Sequence, residues 1–210
     1  MSQTVEAKKL KSVFAKLNKL KVFVIGDAMM DHYWLGSIDR ISPEAPVPIL
    51  LVNQKDGRPG GAANVALNCK ALGADVSLLT VVGDDKSGCE LSQLLIQQGI
   101  CTDYIIRSKE RITTTKTRVI SKNQQVIRLD EELTDELSIK DEHHFIDTCL
   151  KAIQIEVPDI VIFEDYNKGV LTASCIKAVI ALCKEYGVVN RNNNAALMLI
   201  NCLLYTSPSP

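Results

Sequence analysis

Arg58-Pro59-Gly60-Gly61-Ala62-Ala63-Asn64-Val65-Ala66-Leu67-Asn68 reads as a tight glycine turn running directly into a helix. Val65, Cys69 and Leu72 recur at i, i+4 and i+7, which predicts one apolar stripe facing a core. Two glycines without Cβ atoms let a ligand come close to the backbone. The first helical N–H groups lack intrahelical partners and point at whatever sits there. Such an opening suits hydroxyls, carboxylates or phosphates. A helix that merely begins with two glycines would look the same, so the neighbouring segments decide.

Upstream, Val22-Phe23-Val24-Ile25 is a short apolar run ending in Gly26-Asp27, which suits a buried strand. Residues 34–53 have no helical period and carry three prolines; their ends, near Ile38 and Ile49–Val52, look like strands outside the main sheet. Downstream, Val76–Val82 reads as a second core strand, and Ser87 with Glu90 as a capping box for a helix carrying Leu91, Leu94 and Leu95. Ile112–Ile120 and Gln125–Asp130, joined by a polar turn, predict a hairpin. Ile139, His143, Ile146, Leu150 and Ile153 mark a helix, Asp159–Phe163 a buried strand, and Ile176–Cys183 another helix. Gly187-Val188-Val189 is expected to start a further strand. The alternation predicts a parallel sheet covered by helices, with the segments 34–53 and 112–130 in a small accessory sheet.

A formal charge of −1 gives no electrostatic case for nucleic acid or an anionic membrane as partner. No apolar run approaches the roughly 20 residues that span a bilayer. Residues 1–20 hold a lysine-rich amphipathic helix, with Leu10, Val13, Phe14 and Leu17 on one face. It either packs on the domain or serves a membrane surface or transit role. Seven cysteines with no C-x-x-C pair, and three histidines with no cysteine spaced to complete a familiar zinc pattern, argue for reduced thiols in the cytoplasm and against a zinc site.

Ligands collect at the carboxyl ends of parallel strands. Asp27 and Asp31 follow the first strand there, and a carboxylate can accept from two adjacent sugar hydroxyls. Either could instead cap loop N–H groups. Asp165 and Lys168 follow the strand at 159–163 and suit a polar, phosphate-bearing substrate, or a plain loop salt bridge. Lys116 and Arg118, at i and i+2 of a strand, share a face and could hold a phosphate. Solvated edge-strand charges are the competing account.

Together these segments resemble the ribokinase-like (PfkB-type) carbohydrate kinases. The resemblance rests on Gly26–Asp31, Arg40–Pro48, Arg58–Ala66, Thr115–Arg118, Asn123–Asp130 and Asp165–Gly169, and covers residues 21–189. The run Ile41-Ser42-Pro43-Glu44-Ala45-Pro46-Val47-Pro48 narrows it to the heptose 7-phosphate kinase group, whose kinase domain can be joined to an adenylyltransferase half. It implies a three-layer α/β/α domain with a mostly parallel sheet and a β lid, often shared across a homodimer. It further implies transfer of the ATP γ-phosphoryl group, with Mg²⁺, to the anomeric hydroxyl of D-glycero-D-manno-heptose 7-phosphate, toward ADP-heptose and the lipopolysaccharide core. By the same analogy Asp31, Gly60, Gly61 and Asn64 hold the sugar hydroxyls. Lys116 and Arg118 take its existing phosphate, and Asp165 and Lys168 line the acceptor site.

The family's downstream Gly-Ala-Gly-Asp and Asn-x-x-Glu motifs, which supply the catalytic base and help organise Mg²⁺, do not occur here. Residues 190–210 lack family character and read as a truncated or frame-shifted end. The fold is therefore expected to be incomplete at its C-terminus, and the 210-residue chain to phosphorylate nothing by itself. A kinase for another sugar, or a non-catalytic sugar-phosphate-binding or dimerising module, are the alternatives.

Overall fold

The computed structural model describes residues 17–18, 20–188 and the backbone of 197–201. The helix expected within residues 1–20 lies, but for its last residues, outside the described part. Five parallel strands form the main sheet in the order β5-β4-β1-β8-β9: β1 (Lys21–Gly26), β4 (Asp75–Gly83), β5 (Ile105–Ser108), β8 (Ile160–Asp165) and β9 (Leu197–Asn201). Alternation along β1 divides the core in two. Phe23 and Ile25 join Leu79, Val161 and Phe163 beneath α3 (Ile139–Glu156) and α4 (Ala173–Glu185), which bring Phe145, Cys149, Ile153 and Val179. Val22 and Val24 face the other way, toward α1 (Ala62–Ala71) and α2 (Lys86–Gln97) with Ala66, Leu91 and Leu95. Strands apolar on both faces need a helix layer on each side, and that yields three layers.

The second sheet, β3-β2-β6-β7, is the lid: β2 (Ala28–Ile41), β3 (Pro48–Gly61), β6 (Thr115–Ser121) and β7 (Gln124–Glu131). Lys122 and Asn123, both at positive φ, make the two-residue turn between β6 and β7. Alternation in β6 buries Thr115, Thr117, Val119 and Ser121 and leaves Lys116 and Arg118 half-exposed. Six free cysteines occur among the described residues, three of them buried. No described helix is long and apolar enough to cross a membrane.

Several expectations are corrected. The lid begins at Ala28, not near Trp34: only Asp27 separates β1 from a 14-residue β2, which pairs with β3 through two irregularities that absorb its twist. In α1 the alanines 62, 63 and 66 are buried, while Leu72 is 48% exposed. Small side chains let this helix lie close on the sheet; Val65 and Cys69 of the expected stripe pack partly buried against that core, and Leu72 turns outward. Asp85, not Ser87, caps α2, accepting from Gly88 N at 2.8 Å. Its extended backbone (φ −133°, ψ 177°) places the carboxylate over the first turn, and Glu90 is left to face His32 at 3.6 Å. Gly187 and Val188 lie in a turn, and the next strand is 197–201, within the segment read as lying outside the fold. The four-residue β5 carries too short a pattern to have been read at all.

Candidate active site

β1 and β8 end side by side, with Gly26 in register with Glu164. Just past them, Asp27 is 1% exposed and its carboxylate accepts from the backbone N–H of Tyr166 (2.8 Å), Lys168 (3.0 Å) and Val170 (3.1 Å). Burial pushes this carboxyl above its ordinary range, and the three N–H bonds oppose that push. Asp27 therefore holds the 165–170 loop in place, and its oxygens are engaged there. The carbonyl oxygen of Asp27 accepts from Ala62 N at 2.9 Å, which ties the same residue to the start of α1.

At the β3–α1 corner, Gly61 adopts φ 57°, and a Cβ there would strike the Asp27 carbonyl. A Cβ on Gly60 would strike the Asp31 carboxylate. The paired glycines are thus required by close approach, and they bring Asp31 against the corner. No described side chain caps α1, and Asn64 lies exposed in its first turn. Asp31, Gly60, Gly61 and Asn64 share one edge of the lid–sheet junction.

Register builds the rest of the site. Arg58, Asp31, Lys116 and Asp130 form one rung across the four lid strands; Asp56, Tyr33, Arg118 and Arg128 form the rung two residues on. Alternation puts both rungs on one face. Arg118 Nη1 donates to Asp31 Oδ1 at 2.5 Å. Lys116 Nζ reaches Asp130 (3.1 Å) and Glu132 (2.9 Å), and Lys168 Nζ reaches Glu132 at 2.9 Å. Glu132 thus joins the 165–170 loop to the lid. Burial would raise the Asp130 and Glu132 carboxyls, but their cations win: Lys116 and Arg128 hold the first below its usual range, Lys116 and Lys168 the second. Asp165 is half-buried and accepts from Asn167 N at 2.8 Å.

The structure thus brings Asp31, Gly60, Gly61, Lys116, Arg118 and Lys168 into one charged surface with Asn64 at its edge, and sets Asp27 beneath it. Glu132, Arg58 and Tyr33 were not singled out by sequence reasoning. Glu132 offered no signal, since its two lysines lie 16 and 36 residues away. Arg58 and Tyr33 stood next to assigned residues, but only strand register shows that they share their face. Glu164 was missed as well. It is 2% exposed, and its Oε2 has no hydrogen-bond partner among the described residues. Among those residues no three His, Cys, Asp or Glu side chains converge to hold a metal ion.

The profile of the pfkB family carbohydrate kinases matches residues 19–198. The chain belongs to the pfkB family. A D-beta-D-heptose 7-phosphate kinase of Bordetella bronchiseptica is 43% identical over 156 residues, 74% of this chain and 48% of that protein. The bifunctional protein HldE of Gluconobacter oxydans is 43% identical over 169 residues, 80% of this chain and 35% of that protein. The chain therefore spans about a third to a half of the length of these curated pfkB relatives. Two solved structures share the fold. Phosphofructokinase-2 of Escherichia coli, in its tetrameric inhibited form, matches with a TM-score of 0.60 at 16% identity, over 80% of this chain and 52% of that one. Ribokinase of Arabidopsis thaliana, complexed with ribose and ATP, matches with 0.54 at 15% identity, over 80% and 51%.

Proposed function

We propose that this chain forms the acceptor-binding part of an ATP-dependent kinase that phosphorylates the anomeric hydroxyl of D-glycero-D-manno-heptose 7-phosphate. The observation that carries the reading is the lid face itself: the Asp31 carboxylate and a diglycine corner beside Lys116 and Arg118, with Lys168 on the adjoining loop. A sugar phosphate presents what that face can recognise, hydroxyls for Asp31 and the corner N–H groups, and a dianion for the cations. The heptose specificity is supported by the names of the relatives at 43% identity. The product would feed ADP-heptose and lipopolysaccharide-core precursor synthesis in the cytoplasm.

In this reading the chain's residues bind and orient. Gly60 lets the Asp31 carboxylate close against the corner and Gly61 lets the turn pack on the Asp27 carbonyl, so a sugar hydroxyl can meet Asp31 beside the start of α1. Asp27 fixes the loop bearing Asp165 and Lys168, which face the acceptor, and Lys116 and Arg118 supply positive charge toward its phosphate. ATP with Mg²⁺ would supply the transferable phosphoryl group and neutralise its charge. Among the described residues no three His, Cys, Asp or Glu side chains converge to hold that metal. The exposed apolar lid residues support a homodimer formed through that sheet.

Calorimetric titration of the chain with heptose 7-phosphate, fructose 6-phosphate and ribose 5-phosphate tests the acceptor. Heptose 7-phosphate should bind roughly tenfold or more tightly than the others. Tighter binding of another sugar phosphate would reassign the substrate.

A further inference from the structure

Asp31, the carboxylate best placed for sugar hydroxyls, is already committed to Arg118 at 2.5 Å, with the two side chains 21% and 24% exposed. A carboxylate in a charge-assisted bond to a guanidinium has less capacity left for hydroxyls. The Arg118 guanidinium lies 5.3 Å from the Tyr33 ring centroid, and Arg58, in register with Asp31 on the adjacent strand, lies 4.9 Å from the same centroid. One aromatic ring therefore supports two guanidinium groups within about 10 Å of each other. Arg58 is 66% exposed, and its acidic partner, Asp56 at 2.7 Å, sits two residues back on its own strand. So exposed a pair yields readily to a stronger anion. Lys116 is the poorer phosphate ligand, since two carboxylates already hold its ammonium.

Resting on the heptose-phosphate reading above, we propose that Arg58 and Arg118, backed by Tyr33, seat the acceptor's existing phosphate, and that filling this seat frees Asp31 to grip the sugar. A phosphate dianion carries more charge and more acceptor oxygens than the one carboxylate that now holds each guanidinium, Asp31 for Arg118 and Asp56 for Arg58. Once Arg118 turns to the phosphate, Asp31 Oδ1 regains its lone pairs for hydroxyls. An unphosphorylated sugar leaves Asp31 paired with Arg118 and meets a surface only partly able to bind it. The phosphate is thus read before the hydroxyls, and specificity for a phosphorylated acceptor follows from one ion pair. Coupling of this kind is reciprocal, so phosphate and sugar each strengthen the binding of the other.

The test is calorimetric titration of the 210-residue chain with heptose 7-phosphate, with unphosphorylated heptose, and with heptose in the presence of inorganic phosphate. Inorganic phosphate should tighten heptose binding several-fold. Arg118→Gln should tighten heptose while weakening heptose 7-phosphate, which collapses the preference for the phosphorylated ligand. Arg58→Gln, at an exposed position that folding tolerates, should lower the same preference by roughly tenfold, and Arg58→Lys should restore part of it. A preference unchanged in both glutamine variants, or heptose binding indifferent to inorganic phosphate, overturns this proposal and leaves the acceptor assignment standing. Failure of the unaltered chain to bind heptose 7-phosphate at all overturns both.

Discussion

Three backbone N–H groups converge on the carboxylate of Asp27, a residue only 1% exposed. Asp27→Ala would strand all three donors, at about 1–3 kcal/mol for each buried group left unmade. We expect a loss on the order of 3 kcal/mol or more in urea denaturation, with faster amide exchange across 166–170. A loss under about 1 kcal/mol would mean the loop holds itself. Glu164 poses the opposite case. Burial pushes its carboxyl above the ordinary range; a hydrogen bond from Tyr166 opposes this, and Asp165 and Asp27 add to it. The folded state therefore holds this proton more tightly than the unfolded one. The contribution to stability is complete below the usual carboxylate range, near about pH 4, and is lost as pH rises through the raised value. Glu164→Gln removes the ionisable group, so the variant should gain stability on its parent at pH 7.5 and much less at pH 4.5. An equal difference at both pH values, read from urea midpoints, would show that Glu164 carries no charge penalty.

Among the elements, the β3–α1 corner was legible because paired glycines before an alanine-rich run suit a tight turn into a helix, and the neighbouring segments gave that turn its place. Gly61 shows why: φ 57° strains any residue with a side chain, and the Asp27 carbonyl occupies the space of its Cβ. Gly61→Ala should cost about 2 kcal/mol or more and move the melting temperature down by several degrees; an unchanged melt would show that the corner can relax. The β6–β7 hairpin, α3, α4 and the strands β1, β4 and β8 could likewise be read from period and turn residues. The full reach of β2 and β3 could not. Their outer ends, near Ile38 and Ile49–Val52, were visible as strands, but the inner halves carry Asp31, His32, Asp56 and Arg58 in place of a clean apolar alternation, and mutual pairing holds them extended. Nor could the site's partnerships be read. Lys116 and Arg118 were visible as two cations on one face, but the acids that hold them arrive from β2, β7 and the chain beyond it. Register is a tertiary fact, and local patterns do not carry it.

At the scale of the molecule, the lid is a four-stranded sheet projecting from a three-layer domain, with large apolar side chains left in water. Leu51 is 65% exposed and Ile41 61%, while β7 exposes Val126, Ile127 and Leu129 along an edge strand. Single exposed apolar residues are ordinary, but six in the strands of one small sheet, counting Val52, with Val47 in the turn between β2 and β3, mark a surface that gains by being covered. An open strand edge adds unpaired backbone groups that a second copy can satisfy. If two lids meet, a charge at their centre should separate them, since burying an unpaired ammonium costs more than an exposed apolar contact returns. Sedimentation velocity should therefore find the chain dimeric, and Leu51→Lys or Ile127→Lys monomeric with its melting curve retained. Ile155→Lys, at a site on α3 that is 76% exposed and away from the lid, serves as the comparison and should leave the dimer intact. A parent chain that sediments as a monomer, or an Ile155→Lys variant that dissociates as fully as the lid variants, would place the association surface elsewhere.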